Sequence, residues 1–372
     1  TAPLGRGGVT GSGGGPFLAH DGAGNLPVPL GIWGFASPAE MYLDGVGFTV
    51  GTGFPSFMAA TFRNNDASQD QRPDSFCGNA RSSADWYAAN DPTTPYNRAW
   101  FRYMTALQDY LNGLGYLDKA YYYFANEPQD QADYDAVAWY SQELKRAAPN
   151  LKLMISEEPK PEIYAHPTYT GSKIDIWLPV LQNFDPVVSS DRQAHHDEES
   201  WVYFLHSTRP PYFNPITLDH PGIESKFIGW FAWKYRVRGL AYYSMNNWGT
   251  NPWTNPASSG HNGDTFMLYP PSENNAAIPY GSNGHRLVPS IRTELMRDSL
   301  EDYEYLYLLN GAAQPQAGQS NAPDLQADKV ISALTSYTRD SEFLYNLRRL
   351  IGLHLGGEIA SIPDVYPCLL YT

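Results

Sequence analysis

Four consecutive aromatic residues followed by an alanine form an uninterrupted apolar run at residues 121–125. Short apolar runs without polar alternation are typical of central strands in parallel sheets, because both faces of such strands are covered. The run ends at Asn126-Glu127-Pro128, and proline has no amide hydrogen to donate to a sheet. The pattern predicts a buried strand with Glu127 at its carboxyl end. An ordinary strand-to-loop turn with an exposed glutamate is the alternative interpretation of the tripeptide.

Helical and strand-like patterns alternate around this run. Apolar residues at helical spacing predict helices from Tyr96 to Leu114, from Asp133 to Ala147 and from Gly222 to Val237. Such alternation indicates βαβ units, and therefore parallel strands joined by right-handed crossovers. The candidate strands lie at residues 26–35, 46–51, 56–62, 121–125, 151–155, 173–180, 200–206 and 240–248. Eight strands with intervening helices predict an α/β fold of the (β/α)8 barrel type.

The predicted organisation is one barrel with two flanking segments. Glycine dominates the first 15 residues, so residues 1–25 are expected to form a flexible leader. Residues 26–310 are assigned to the catalytic barrel, whose last helix begins at the capping residue Ser290. Residues 311–372 are predicted to form a C-terminal helical tail packed on the barrel, with helix from Leu325 to about Leu355.

Composition and net charge narrow the classes of molecule that the protein is expected to bind. The net charge of −14 argues against nucleic acid and anionic membranes, which attract basic patches. No apolar run approaches the roughly 18 residues of a membrane span. Aromatic residues make up 14% of the chain and charged residues only 17%. Because sugars stack on aromatic rings, we expect a secreted, periplasmic or cell-surface protein that acts on an oligosaccharide or polysaccharide.

No spacing of cysteines and histidines resembles a zinc site, and no metal or cofactor is predicted. Cys77 and Cys368 are far apart, and whether they form a disulfide is left open. His195 and His196 are adjacent and would point to different sides of a helix or strand, so they are a weak metal signal. The sequence contains no phosphate loop, no dinucleotide-binding glycine pattern after a strand and no nucleophile elbow.

The carboxyl ends of parallel barrel strands converge on one pocket. Aromatic rings, amides and one arginine predicted near this rim are the substrate-binding candidates: Trp33, Arg63, Trp177, Tyr243, Asn246 and Trp248. Burial in the core is the competing interpretation for the tryptophans and Tyr243. His206 also reaches the rim and is interpreted as a core histidine. Arg292, Arg297 and residues Glu301–Glu304 are interpreted as an ion network that anchors a helix.

Glycoside cleavage usually requires two carboxyl groups. Retaining barrel enzymes of clan A carry Asn-Glu on the fourth strand and a second glutamate at the end of the seventh. Here the seventh candidate strand ends at His206 without a glutamate. Either Glu157 or Glu158 replaces that nucleophile, or the 2-acetamido oxygen of the substrate attacks the anomeric carbon. In the second case Glu127 is the acid/base and Asn126 orients the acetamide.

Several segments resemble the catalytic domain of glycoside hydrolase family 123. They span roughly residues 26–310 in order and are most specific in the last third of that range. The segments are 226–235, 239–243, 246–248, 251–253, 263–270 and 289–305. The resemblance implies a (β/α)8 barrel, β-N-acetylgalactosaminidase activity by substrate assistance, and no metal.

The family's Asp-Glu pair falls on Asn126-Glu127. The resemblance gives Glu127 the acid/base role. An amide at Asn126 carries no negative charge for an oxazolinium ion, but it can hydrogen-bond the acetamide, as an asparagine does in glycoside hydrolase family 85. The alternatives are a clan A-like enzyme acting on a non-acetamido sugar, with Glu157 or Glu158 as nucleophile, and a non-catalytic polysaccharide-binding barrel.

Overall fold

A computed structural model describes residues 39, 42–46, 53–61, 72–248, 251–257, 261–270, 287–367 and 370–371. The chain divides into two compact units, Thr1–Trp177 and Leu178–Thr372. The predicted leader, the predicted strand at 26–35 and residues 47–51 of the next predicted strand lie outside the described residues. Trp33, Arg63 and Cys368 also lie outside them.

The first unit contains a parallel sheet and a small hairpin. Its strands are β1 Phe57–Thr61, β2 Ser75–Phe76, β3 Asn79–Ala80, β4 Ala120–Asn126, β5 Lys152–Ser156 and β6 Ile176–Trp177. Strands β1, β4, β5 and β6 are parallel neighbours in that order, while β2 and β3 pair antiparallel. The aromatic strand β4 thus has a neighbour on each side, which confirms the prediction of a central strand.

These strands are accompanied by the helices α1 Pro95–Gly113, α2 Gln131–Ala147 and α3 Pro161–Tyr164. The side chain of Thr94 accepts a hydrogen bond from the Asn97 amide and so caps α1, which begins with a proline. Asp130 caps α2 by accepting from the Asp133 amide. Both predicted helices are confirmed to within two residues at each end.

Part of the polar segment before α1 is packed against the helices. The buried Arg72 donates to Asn97 Oδ1 at 2.7 Å, to the Asp85 carbonyl at 2.8 Å and to the Tyr140 hydroxyl at 3.1 Å. Its guanidinium also lies 4.5 Å from the Tyr140 ring centroid. Buried donors need partners, and these contacts supply them, so residues 72–95 form an ordered part of the first unit.

The strands in the described part of the second unit pair in three groups. Its strands are β7 Glu199–Tyr203, β8 Gly239–Ala241, β9 Leu268–Tyr269, β10 Val288–Pro289, β11 Ile331–Ala333, β12 Ser336–Thr338 and β13 Leu370–Tyr371. Strands β7 and β8 are parallel, β9 pairs antiparallel with β10, and β11, β12 and β13 form an antiparallel sheet.

The helices of the second unit cover these strands. They are α4 Pro186–His195, α5 Ile228–Tyr235, α6 Ile291–Leu309, α7 Asp324–Val330 and α8 Ser341–Leu355. The helix predicted over residues 222–237 is a 3-10 helix at Gly222–Phe227 that continues into α5. None of the described helices has both the length and the apolar character that crossing a membrane requires.

The predicted tail helix is interrupted. Strands β11 and β12 separate α7 from α8, and Ser332 Oγ donates to the Ser336 carbonyl and Oγ across the turn. Tyr337 is fully buried, and its hydroxyl lies 3.3 Å from Glu224 Oε1. This tertiary burial and the local serine hydrogen bonds outweigh the helical spacing of the segment.

Six of the eight predicted strands are therefore described as parallel strands, four in the first unit and two in the second. A mixed α/β fold with parallel strands is confirmed. The closed (β/α)8 barrel, and the division into leader, barrel and tail, stay predictions.

Candidate active site

The end of β4 has an unusual backbone. Glu127 follows directly after the strand and has a φ of 47°, in the left-handed region. That region costs a residue other than glycine about 1 kcal/mol or more. The turn is held by two hydrogen bonds, from the Glu127 amide to Ser156 Oγ at 2.8 Å and from Gln129 Nε2 to the Glu127 carbonyl at 2.7 Å. A strained backbone on a half-buried glutamate at the end of a central strand supports the hypothesis of a functional role for Glu127.

Asn126 is fixed by two hydroxyl groups. Its Oδ1 accepts hydrogen bonds from the Tyr123 hydroxyl at 2.8 Å and from Ser156 Oγ at 3.0 Å. Ser156 ends β5 and pairs with Asn126 in register, so its hydroxyl joins the Asn126 amide group to the Glu127 backbone. These bonds set the orientation of the amide, with the oxygen towards the two hydroxyls.

Tyr123 acts as a hydrogen-bond donor in this arrangement. Burial raises the pKa of its phenol well above the ordinary value, and the negative charge of Glu127 adds to that effect. The phenol therefore keeps its proton at physiological pH and can donate it to Asn126.

A second carboxyl pair follows β5. Glu157 is buried, and Lys160 Nζ lies 2.5 Å from Glu158 Oε1 and 3.7 Å from Glu157 Oε1. Burial, with the neighbouring Glu158 carboxyl, raises the pKa of Glu157 to about 9. Burial acts to raise the pKa of Glu158 as well, but hydrogen bonds from Glu157 and Lys160 outweigh it and lower that pKa. At neutral pH the pair therefore carries one proton, on Glu157, which makes Glu157 a weak nucleophile.

Glu157 is expected to make stability fall as the pH rises. In the folded state its pKa is raised to about 9, so between pH 4.5 and 9 the folded chain keeps a proton that the unfolded chain releases. The contribution of Glu157 to the free energy of unfolding is therefore complete below the pKa of the unfolded state. It is lost as the pH rises towards and through the pKa of the folded state, by up to about 1 kcal/mol per pH unit. Glu157→Gln should flatten this dependence, measured by urea unfolding at several pH values.

The exposed Glu162 of α3 provides the matched control, because Glu162→Gln makes the same chemical change outside the buried pair. This variant should keep the slope of the unmodified protein. Identical slopes for Glu157→Gln and the unmodified protein would contradict a proton held on Glu157 in the folded state.

Of the predicted aromatic platform residues, Trp177 is the one described in the first unit. It lies in the core, 1% exposed, and contacts Tyr164 edge-on with ring centroids 6.3 Å apart. This position corresponds to the core interpretation of Trp177, and a stacking role for it stays a prediction.

The remaining predicted binding residues follow β8 in the second unit. Tyr243 is 61% exposed, and Asn247 Nδ2 donates to its hydroxyl at 3.3 Å. Asn246 is exposed and forms a β-bridge with Phe266. Trp248 is half-buried, and its Nε1 donates to the Leu268 carbonyl at 2.9 Å. Exposed aromatic and amide groups on one segment are suited to stacking and hydrogen bonding with a sugar.

One polar cluster was not recognised from the sequence. His206, interpreted as a core histidine, is 39% exposed, and its Nδ1 lies 3.1 Å from Asp264 Oδ2. Its ring stacks on His261 with centroids 3.7 Å apart. His206 and Asp264 are 58 positions apart in the sequence. The Gly263-Asp264 motif, within the segment that resembles the family, was therefore the only sequence signal for this cluster.

No described residues form a group of three or more His, Cys, Asp or Glu side chains that could hold a metal ion. His195 and His196 both approach Asp191, at 2.9 Å and 3.8 Å, on an exposed surface. A disulfide between Cys77 and Cys368 stays open because Cys368 lies outside the described residues.

Comparison with known proteins gives one family. Residues 75–309, more than half of the chain, match the family description "Glycoside hydrolase 123, catalytic domain". A search of curated proteins found no matching relative. The matched range includes β4, β5, β7, β8 and all of α6.

Proposed function

Because this match shows that the chain belongs to glycoside hydrolase family 123, we propose that it hydrolyses a β-linked 2-acetamido sugar of the N-acetylgalactosamine type. Membership makes the protein a glycoside hydrolase with a carbohydrate substrate. The sugar, the substrate-assisted mechanism and the residue roles below are the proposed part. The secreted, periplasmic or cell-surface location predicted from composition is proposed together with them.

Glu127 is proposed as the acid/base. The single observation that supports this best is its position: a glutamate in a left-handed backbone conformation directly after the central parallel strand, tied to β5 through Ser156. The 2-acetamido oxygen would attack the anomeric carbon while the glycosidic oxygen leaves with the proton of Glu127. Water, deprotonated by Glu127, would then open the oxazoline, so that the product keeps the β configuration.

Asn126 is proposed to orient the acetamide. Hydrogen bonds from Tyr123 and Ser156 hold its side chain in one orientation, and such preorganisation lowers the cost of aligning the reacting oxygen. The amide is neutral, so it contributes orientation without the charge stabilisation that a carboxylate would give to an oxazolinium ion.

The clan A-like alternative depends on Glu158. Of the two carboxyls after β5, Glu158 has the lowered pKa and is the ionised one at neutral pH. It is therefore the better candidate for a nucleophile that acts on a sugar with a 2-hydroxyl group.

A pair of substrates tests the proposal. The enzyme should hydrolyse 4-nitrophenyl β-N-acetylgalactosaminide and leave 4-nitrophenyl β-galactoside nearly unchanged, and proton NMR should detect the β anomer as first product. Comparable rates on both substrates would favour the clan A-like alternative. Tight glycan binding without any product would favour a non-catalytic polysaccharide-binding protein.

Asn126→Asp is expected to increase kcat/KM on the acetamido substrate by about tenfold, or about 1.4 kcal/mol of transition-state stabilisation. A carboxylate can still accept the hydrogen bonds of Tyr123 and Ser156, and its charge would stabilise the oxazolinium ion. The measurement is steady-state kinetics on aryl N-acetylgalactosaminides. Asn126→Ala, which removes the orienting amide and adds no charge, should lose activity. If Asn126→Asp fell to the level of Asn126→Ala, the orienting role would be refuted.

A further inference from the structure

A second polar centre lies at the strand ends of the second unit. We define the histidine centre as His206, Tyr242, His261 and Asp264. Strands β7 and β8 are parallel, with Tyr203 opposite Ala241. His206 follows β7 and Tyr242 follows β8 on the carboxyl side, the side on which parallel α/β folds bind their ligands.

Asp264 organises the centre. Its Oδ1 accepts hydrogen bonds from the Tyr242 hydroxyl at 3.0 Å and from the Thr265 amide at 2.9 Å, while Oδ2 lies 3.1 Å from His206 Nδ1. Burial and the charge of Asp264 raise the pKa of the Tyr242 phenol, so this hydroxyl remains a donor. The carboxylate thus needs a donor on its His206 side, which places the imidazole proton on Nδ1.

The loop that carries Asp264 is held firmly. The buried Arg292 donates to the Gly263 carbonyl at 2.7 Å and to the Phe266 carbonyl at 2.9 Å. Gly263 has a φ of 75°, and a Cβ there would lie 2.8 Å from Arg292 Nη1. Only glycine fits this position without displacement. Arg292 therefore supports the loop, and Asp264 faces His206 from a rigid base.

His206 combines this support with access to solvent. Its side chain is 39% exposed, and one face of the ring is covered by His261 at an interplanar angle of 10°. Among the residues that the structure describes, none hydrogen-bonds to Nε2. A core histidine would have both ring nitrogens hydrogen-bonded. In His206 the contact of Nδ1 with Asp264 fixes the orientation of the ring, and Nε2 can accept a hydrogen bond.

We propose that His206 is a substrate-binding residue whose Nε2 accepts a hydrogen bond from a sugar hydroxyl group, with Asp264 as the positioning residue that sets its tautomer. The ligand class is a saccharide, because the chain is a glycoside hydrolase and a fixed acceptor suits a hydroxyl donor. The inference needs neither the 2-acetamido group nor the role proposed for Glu127.

Two replacements of His206 separate its two nitrogens. In His206→Asn the amide nitrogen can still donate to Asp264 but nothing occupies the Nε2 position. In His206→Gln an amide group reaches that position. We expect His206→Asn to weaken glycoside binding about tenfold, the effect of losing one hydrogen bond in a preorganised binding site. His206→Gln should recover at least half of the lost binding free energy.

His195 gives a matched control. It also places Nδ1 near an aspartate, 2.9 Å from Asp191 Oδ1, but on an exposed helix surface of the same unit. His195→Asn is expected to leave binding unchanged. Binding is measured by isothermal titration calorimetry with methyl β-glycosides of N-acetylgalactosamine, N-acetylglucosamine, galactose and glucose.

Imidazole ¹⁵N NMR provides a readout that is independent of turnover. In the unliganded protein His206 should show the Nδ1–H tautomer, and Asp264→Asn should abolish that preference. Adding the glycoside that binds most tightly should shift the His206 Nε2 resonance and leave that of His195 in place. The proposal is overturned if no glycoside of the panel shifts Nε2, or if His206→Asn binds as well as the unmodified protein. A shift caused by the galactoside alone would support the binding role of His206 and would refute the proposed acetamido substrate.

Discussion

Replacing Glu127 with glutamine is expected to lower kcat on unactivated β-glycosides by about 10²–10⁴-fold, the range for the loss of a general acid/base. Glutamine has nearly the same shape as glutamate and can adopt the same backbone conformation after β4. The backbone amide of residue 127 would still donate to Ser156 Oγ. It has no acidic proton for the leaving oxygen. Substrate binding, measured by calorimetry, should therefore stay within about threefold of the unmodified protein.

Leaving-group chemistry makes this test specific. A 2,4-dinitrophenolate leaves without protonation, so Glu127→Gln should cleave that glycoside with a much smaller deficit than an alkyl glycoside. Glu162→Gln on α3 makes the same change on an exposed carboxyl and should leave both rates unchanged. An equal deficit for both leaving groups would mean that Glu127 acts on folding or binding. Full activity on the alkyl glycoside would remove Glu127 from the mechanism.

The strand that carries this glutamate could be predicted because its signal is local. The aromatic run at residues 121–125 and the proline at 128 define a buried strand and its end without reference to any other segment. Helices α1 and α2 were predicted for the same reason, since their apolar spacing lies within each segment. Residue types at strand ends then indicated a carbohydrate site, which the family match supports.

Contacts between distant residues could not be predicted in this way. The hydrogen bond from Ser156 to Asn126 joins residues 30 positions apart and requires the β4–β5 register, and the His206–Asp264 contact spans 58 positions. No local pattern in the sequence shows that Arg72 donates hydrogen bonds to Asn97 and Tyr140. The strands β11 and β12 were missed because Tyr337 is buried by tertiary contacts that outweigh helical spacing.

The largest expected loss of stability comes from Lys226, in the 3-10 helix before α5. Its side chain is 1% exposed, and Nζ lies 2.6 Å from Asp298 Oδ2 and 3.0 Å from Asp302 Oδ2 on α6. Asp302 is fully buried and also accepts a hydrogen bond from Trp230 Nε1 at 3.0 Å. This is an ion network that anchors a helix, and Asp302 lies in the 301–304 range that the sequence assigned to one. Lys226 and Asp298 were not assigned to it, and the prediction was wrong for Arg292, which donates to backbone carbonyls instead.

Lys226→Met should therefore destabilise the protein by about 3 kcal/mol, the lower end of the range for removing one member of a buried ion pair. Arg348 Nε, 3.2 Å from Asp302 Oδ1, still pairs with the buried carboxylate in this variant. Burial already raises the pKa of Asp302, so the variant should regain stability in acid, where Asp302 takes up a proton. Urea unfolding followed by tryptophan fluorescence at neutral and acidic pH measures both effects. The double variant Lys226→Met/Asp302→Asn should recover much of the loss, because the amide carries no charge and can still accept from Trp230.

Arg297→Met provides the contrast on the same helix. Arg297 is exposed and pairs with Glu294 at 3.0 Å and Glu301 at 2.6 Å, and water screens such pairs, so their loss should change the unfolding midpoint little. Equal destabilisation by Lys226→Met and Arg297→Met would show that burial of the ammonium group does not govern the strength of the network. A large loss for Lys226→Met that the double variant does not reduce would instead assign the effect to lost packing of the lysine chain, which lies over the Tyr345 ring with Nζ 5.1 Å from its centroid.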